Sequence, residues 1–513
     1  MLLKTVQLIF LLQISYAYKV LLVFPVPYRS HAILGEGFVR HLTRAGHEVT
    51  YVTPYLIGEA HENLQQIEIG TRGLLDNVVN LKNILNKEMN SAELFNVMMK
   101  IVNLTLTDAN VTEFLYNKNN IYDVAIIERM FIDVFSGFAA VFNCPYISFF
   151  SYHDDMDILE LIHEVPNPAY TASVGTTYIP PLSFFERLEQ LYLHGFMLIM
   201  NQYYIKPKEQ AIYRRMFEPI VNSRGGNLPD YDDIRYNASL AFTTSHISYG
   251  NSYVHPLALK LIGGFHIDDA LKPLPKKLRE IMDKSENGVI LFSMGSQVTS
   301  EGMPEQLKTD LIRIFSQLNY TVLWKLNKLE SKFIPGNVKV VPWLPQQSIL
   351  AHPRCVLFIT HGGILSITES VHFGVPIVGI PGFGDQFVNV KTAVKNGYGL
   401  EVALSADMGD KLEEALHEVL GNPRFQQRAK AMSLIYHSRV MPPGDEMVFW
   451  TEYVVKTRGA LHLRSPALSM PLYQKYFLDI LATLCILLTI MLFIAKKMFI
   501  YLIKEAVENK KNN

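Results

Sequence analysis

Several short runs in this chain are apolar at consecutive rather than alternate positions, each with a single polar residue. Residues 19–25 read KVLLVFP, 123–127 DVAII, 144–150 CPYISFF, 288–293 GVILFS and 356–360 VLFIT. A strand with one wet face alternates; an unbroken apolar run is what a parallel strand covered on both faces requires. After the first run, Ser30 is placed to cap a helix beginning at His31. Leu34, Phe38, Val39 and Leu42 give that helix one apolar face, and Gly46 follows its end. Residues 48–53 return as a strand, so the chain opens as a βαβ unit and predicts a Rossmann-like sheet. The pattern loosens over 55–120, as excursions over a sheet's ligand edge do. A helix is expected over 131–142.

Residues 151–211 are rich in aromatic, methionine and leucine side chains, among them Phe184, Phe185, Leu191, Tyr192, Leu193, Phe196 and Met197. Most read as helix-packing faces, with a minority left to line an apolar pocket or rest on a bilayer. Ile262-Gly263-Gly264 and the proline-bearing stretch 272–275 mark a passage between domains. A second α/β series then runs through strands at 288–293, 321–325 and 338–343 and helices over 304–318, 403–420 and 424–438. The fold class is therefore α/β, with two Rossmann-like domains facing across a cleft between the carboxyl edges of their sheets, where ligands bind.

The densest chemistry lies in 343–386, WLPQQSILAHPRCVLFITHGGILSITESVHFGVPIVGIPGFGDQ. A strand, a glycine turn (Gly362, Gly363) and a helix place an anion at a helix N-terminus, where unpaired N–H groups and the helix dipole favour negative charge. Glu369, within the next two turns, offers a carboxylate to a ribose hydroxyl. Trp343 and Gln346 open a neighbouring loop and offer a stacking face and an amide to a base. Phosphate seat, ribose acceptor and base platform together indicate a nucleotide site.

The ordered set Trp343, Gln346, His352, Thr360, His361, Gly362, Gly363, Ser366, Glu369, Gly374, Pro376, Pro381, Asp385 and Gln386 resembles the signature of the UDP-glycosyltransferases, nucleotide-sugar-dependent enzymes of the GT-B fold. The resemblance implies a donor site in the second domain and an acceptor site in the first. It implies that Ser293, Gly295 and Ser296 meet the diphosphate opposite His361, Gly362, Gly363 and Ser366, and that Asp385 and Gln386 meet the sugar. It also implies a final helix over 445–455 that crosses back to the first domain. Its general base is matched by His31, supported by a carboxylate after the strand 123–127. Relatives often have aspartate there; this chain has Glu128, with Asp133 as the rival. Leu365 stands where many relatives have asparagine. The implied reaction is an inverting transfer of a hexosyl group from a UDP-sugar, UDP-glucose favoured over UDP-glucuronate, to a hydroxyl of a small lipophilic acceptor. The UDP-sugar is a co-substrate, and no cofactor or metal is called for. The two departures keep a second reading in play, a membrane-tethered protein that binds a nucleotide sugar or lipophile without catalysis. A dinucleotide oxidoreductase fits poorly, since the first strand runs into PVPYRSH rather than a glycine fingerprint.

Composition adds location. With 47 Lys and Arg against 48 Asp and Glu, nothing points to nucleic acid. Three cysteines, Cys144, Cys355 and Cys485, form neither a disulfide framework nor a metal spacing. Residues 1–17 read as a signal peptide, and 477–495 as one membrane crossing followed by Lys496-Lys497. This predicts a single-pass type I protein of the endoplasmic reticulum: acceptor domain 18–262, donor domain 263–455, lumenal juxtamembrane segment 456–476, and cytosolic tail 496–513 with a dilysine-like end. Sequons at Asn103, Asn110, Asn237 and Asn319 suit a lumenal body. A homo-oligomer is left open.

Overall fold

The computed structural model describes residues 17–58, 61–75, 85, 91–153, 155–162, 164–171, 173, 176–250, 254–295, 303–326 and 334–511. Thirteen strands form two sheets that are parallel at every pairing found among these residues. The first contains β1 (Lys19–Val23), β2 (Glu48–Thr53), β3 (Leu64–Glu68), β4 (Val124–Glu128), β5 (Tyr146–Phe150), β6 (Leu240–Thr243) and β7 (Leu259–Leu261), in the order β3-β2-β1-β4-β5-β6-β7. The second contains β8 (Val289–Ser293), β9 (Thr321–Lys325), β10 (Val338–Val341), β11 (Cys355–Thr360), β12 (Ile377–Gly379) and β13 (Gly399–Glu401), in the order β10-β9-β8-β11-β12-β13.

The unbroken apolar runs become strands whose two faces feed two cores. Leu21 and Val23 enter one cluster with Ala125 and Ile127, while Val20 and Leu22 enter the other with Val124 and Ile126. In the second sheet Ile290 and Phe292 point one way and Val289 and Leu291 the other. A side-chain period of two with both faces covered therefore accounts for each run.

The helices that matter for the site are α1 (Arg29–Arg44), α2 (Phe184–Met200), α3 (Lys206–Ser223), α4 (Ile364–Phe373), α5 (Gln386–Lys395), α6 (Pro423–His437), α7 (Pro443–Lys456) and α8 (Leu478–Lys511). α7 lends Met447 and Val454 to the core of the first half, and a Cβ on its Gly444 would meet the His41 ring of α1 at 2.1 Å. At the passage between halves Gly264 has φ +99, and a Cβ there would stand 1.7 Å from the Tyr436 hydroxyl of α6. α8 is long and apolar enough to cross a membrane.

Some expectations are revised. α1 starts at Arg29, with Tyr28 at its N-cap and no side-chain cap, so Ser30 lies inside the first turn. The helix expected over 131–142 is shorter, because Phe131 has φ 62 and a 3₁₀ turn (Val134–Ser136) precedes Gly137–Phe142. β10 stops at Val341, since Pro342 and Pro345 supply no N–H to a ladder. α8 continues to Lys511, well past the expected span. Ser296, residues 1–16 and the last two residues lie outside the described residues.

Candidate active site

A cavity of about 1190 Å³ lies between the carboxyl edges of the two sheets and draws its walls from both halves. Ten of the sequence-predicted site residues line it: His31, Gly295, Trp343, Gln346, His361, Gly363, Ser366, Glu369, Asp385 and Gln386. Glu128, Ser293 and Gly362 stand behind that wall.

From the first half comes His31, in the opening turn of α1 and 8% exposed. Its Nδ1 is 2.5 Å from Oε1 of Glu128, the wholly buried last residue of β4. A carboxylate accepts only, so in the neutral imidazole Nδ1 carries the proton and Nε2 the lone pair. The other oxygen of Glu128, Oε2, has no hydrogen-bond partner among the described residues. Asp133 is differently engaged. Its carboxylate pairs with Arg129 and, at 2.6 Å, with Arg235. Burial pushes this carboxyl up, but the two guanidiniums outweigh it and hold the group below its usual range. Of the two candidates, only Glu128 is hydrogen-bonded to His31.

The second half supplies an anion seat. α4 begins after Gly363 with no side-chain cap, so its first N–H groups remain available at the cavity wall. The His361 ring fits between two glycines: a Cβ on Gly295 would lie 2.8 Å from its Nε2, and one on Gly363 2.7 Å. Burial, then Lys325, pushes the His361 imidazole down to about 4, which keeps it neutral near pH 7. Ser293 ends β8 with a buried hydroxyl that lacks a partner among the described residues.

Beside this seat, Glu369 accepts from Gln346 Nε2 at 2.6 Å and from Gln347 Nε2 at 3.1 Å, and Gln346 Nε2 also reaches Ser366 Oγ at 3.2 Å. The amide nitrogen of Gln346 is thus engaged within the protein, leaving its carbonyl oxygen for a ligand N–H. Trp343 is 55% exposed, an open stacking face. At the far end, Gln386 Oε1 accepts from the Gly382 and Phe383 N–H groups and shapes the turn, which leaves its amide nitrogen to donate. Asp385 accepts from Asn389 Nδ2 at 2.8 Å, and the same nitrogen binds the Gly362 carbonyl at 3.0 Å. Burial pushes the Asp385 carboxyl up to about 6; Asn389 opposes this, as does His31, acting across the cleft.

Two contributors escaped the sequence reading. Asn389, one turn into α5, ties Asp385 to the glycine loop. Lys325, which ends β9, lies 3.1 Å from the Gly295 carbonyl and 4.3 Å from the Trp343 ring centre. A cation closing an otherwise apolar strand (TVLWK) at a ligand edge was the available signal. Burial pushes its ammonium down to about 8, with Glu369 opposing. The rest of the cavity is largely apolar, including Phe95, Met130, Phe131, Phe196, Met197 and Met200.

Comparison with known proteins identifies the family and the fold. The model of the family described as "UDP-glucoronosyl and UDP-glucosyl transferase" matches residues 19–513. UDP-glucosyltransferase 2 of Dactylopius coccus is 30% identical over 493 residues, covering 95% of this chain and 93% of its own. UDP-glucuronosyltransferase 2B15 of Rattus norvegicus is 27% identical over 556 residues, covering 99% of each. Among solved structures, the calicheamicin glycosyltransferase CalG4 superposes with a TM-score of 0.56 at 15% identity, covering 86% of this chain and 99% of its own. The glycosyltransferase VinC gives 0.53 at 16%, covering 86% and 100%. The chain is therefore a GT-B enzyme of the UDP-glucuronosyl and UDP-glucosyl transferase family, which takes its sugar from a UDP-sugar.

Proposed function

We propose that the enzyme moves a hexosyl group from UDP-glucose to a hydroxyl of small lipophilic acceptors by direct displacement, with His31 as the general base. The observation that carries this reading is the His31–Glu128 pair at the wall of an apolar cavity whose opposite wall is the anion seat. An alcohol is a weak nucleophile near neutrality and needs its proton removed as it attacks. The acceptor oxygen forms a bond to the anomeric carbon while the bond from that carbon to the UDP oxygen breaks. The acceptor proton passes to His31 Nε2, and the imidazolium so formed is stabilised by the Glu128 carboxylate. Charge growing on UDP is met by the N–H groups of α4, the neutral His361 ring and Lys325. Leu365 lines the cavity and packs against the core of the first half, so it offers packing rather than a hydrogen bond.

UDP-glucose is favoured because the Dactylopius coccus relative, named a glucosyltransferase, is more similar than the rat enzyme, named a glucuronosyltransferase. α8 anchors the enzyme in the endoplasmic reticulum membrane with the cavity on the lumenal side and Lys510-Lys511 in the cytosol. Incubating the enzyme with a panel of phenols and either UDP-glucose or UDP-glucuronate tests this by mass spectrometry. Phenols gaining one glucose residue, with one UDP released per product, are expected. Exclusive use of UDP-glucuronate would overturn the donor assignment, and UDP binding with no product would overturn the transfer.

Two binding predictions follow from the seat. Lys325→Met is expected to weaken UDP by about 10- to 100-fold, the range for a hydrogen bond to a charged group. In the unsubstituted enzyme UDP affinity falls as pH rises through about 8, because the ammonium loses its proton there. Calorimetric titration of UDP on either side of that pH should find the slope in wild type and not in the variant. Asp385→Ala should weaken the UDP-sugar about tenfold more than UDP, one charge-assisted hydrogen bond to the sugar being lost. Donor affinity should fall as pH is lowered through about 6, where this carboxylate takes up a proton. Equal weakening of sugar and UDP would show that Asp385 does not meet the sugar.

A further inference from the structure

Glu369 has a third neighbour besides Gln346 and Gln347. His266 lies in the turn that follows β7, at the start of the passage to the second half. It is 3% exposed and borders the cavity. Neither of its ring nitrogens has a hydrogen-bond partner among the described residues. A buried imidazole always carries at least one N–H, and leaving that donor unpaired is costly. The ring faces a carboxylate: His266 Nε2 stands 3.6 Å from Glu369 Oε1, and both side chains are almost wholly buried. Bringing the two to hydrogen-bond length needs a movement of about 0.5 Å.

The two oxygens of Glu369 are addressed differently. Oε2 accepts from Gln346 Nε2 at 2.6 Å, and Oε1 accepts from Gln347 Nε2 at 3.1 Å. A carboxylate offers about four acceptor positions, two on each oxygen. With His266 directed at Oε1, that oxygen is filled from within the protein, and Oε2 keeps one position open beside Gln346. The turn that carries His266 is itself held from both halves. Gln347 Oε1 accepts from the Asp268 N–H at 3.1 Å, and its Nε2 reaches the His266 carbonyl at 3.5 Å. From α1, Arg40 donates to the Phe265 and Ile267 carbonyls at 3.0 and 3.1 Å. The ring is therefore aimed at Glu369 by its backbone.

We propose that His266 is a positioning residue of the nucleotide site: with the ribose in place, its Nε2–H donates to Glu369 Oε1, fixes the carboxylate in one orientation and leaves Oε2 to accept from a ribose hydroxyl. The passage between the halves thereby takes part in recognising the donor. The proposal rests on Glu369 receiving the ribose.

Titration of the full chain in detergent micelles with UDP and with 2′,3′-dideoxy-UDP tests it. The unsubstituted enzyme should prefer UDP. His266→Phe keeps a ring and removes the N–H; it should weaken UDP by about 3- to 10-fold, the worth of one net hydrogen bond, and leave the dideoxy analogue as it was. His266→Gln, whose amide N–H can take the place of Nε2–H, should recover most of the loss. In a Glu369→Gln background His266→Phe should have no further effect on UDP, because the two side chains act as a pair. Equal weakening of both ligands, in His266→Phe and His266→Gln alike, would assign the residue to the shape of the turn and overturn the proposal. Undiminished UDP affinity in His266→Phe, or an undiminished effect in the Glu369→Gln background, also overturns it. No preference for UDP in the unsubstituted enzyme would instead take the ribose away from Glu369, and the proposal would fall with that reading.

Discussion

Replacing His31 with alanine is expected to lower turnover by about 10²- to 10⁴-fold, the contribution of a positioned general base, while leaving UDP affinity unchanged. The separation follows from the geometry: His31 belongs to α1 in the first half, whereas the groups placed for UDP end strands or begin helices in the second. Glu128→Gln should cost about 10²-fold. An amide at that position can present its NH₂ to Nδ1, favouring the tautomer whose proton sits on Nε2, where the acceptor's proton must go. Glu128→Asp should recover part of the loss, since it keeps the charge but shortens the arm across a 2.5 Å contact. Single-turnover kinetics with saturating donor, alongside UDP titration, distinguishes lost chemistry from lost binding. Unchanged turnover in His31→Ala would reject the base assignment outright.

The second large effect is structural. Gly362 has φ +82, and a Cβ there would stand 2.3 Å from Val390 Cγ2 and 3.2 Å from the Gln386 carbonyl. Backbone strain and overpacking act together, so Gly362→Ala should cost about 2–5 kcal/mol of stability. The contacts lie on α5, so the same change should displace Asp385 and Gln386 and weaken the donor. Gly421→Ala, where nothing among the described residues lies within 4 Å, is the control and should shift the unfolding midpoint little. Thermal unfolding with and without UDP measures both consequences. A midpoint in Gly362→Ala equal to that of the control would show that the loop tolerates a side chain.

Much of the fold was legible because doubly covered strands carry their own mark. KVLLV, VAIIE, VILFS and CVLFIT are apolar at every position but one end residue, and each became a central strand. β3 escaped because it is an edge strand of sequence LQQIE with only Ile67 buried, and a half-wet polar edge resembles a loop. β7 and β13 have three residues each, too few for any periodicity. At the site, Trp343, Gln346 and the His-Gly-Gly turn could be found because they are close in sequence and ordered. The choice between Glu128 and Asp133 could not be made there, because both follow the same strand. Tertiary partners distinguish them: Arg129 and Arg235 occupy Asp133, while β4 and α1 bring Glu128 to His31. Lys325 and Asn389 act through neighbours distant in the chain, and a single sequence carries little trace of such partners. α2 misleads in part: Phe184, Phe185, Leu191 and Tyr192 are exposed rather than packed, while Phe196 and Met197 line the cavity, one of the alternatives the sequence left open.

The stereochemistry of transfer tests the central claim most directly. UDP-glucose carries its glucose in the α configuration, and a hydroxyl activated by His31 and attacking opposite the departing UDP must yield a β-glucoside. Proton NMR of the initial product, read at the anomeric coupling before any equilibration, should show β alone. An α-glucoside would mean that the sugar changes hands twice or leaves before attack, and the one-step displacement described here would be wrong.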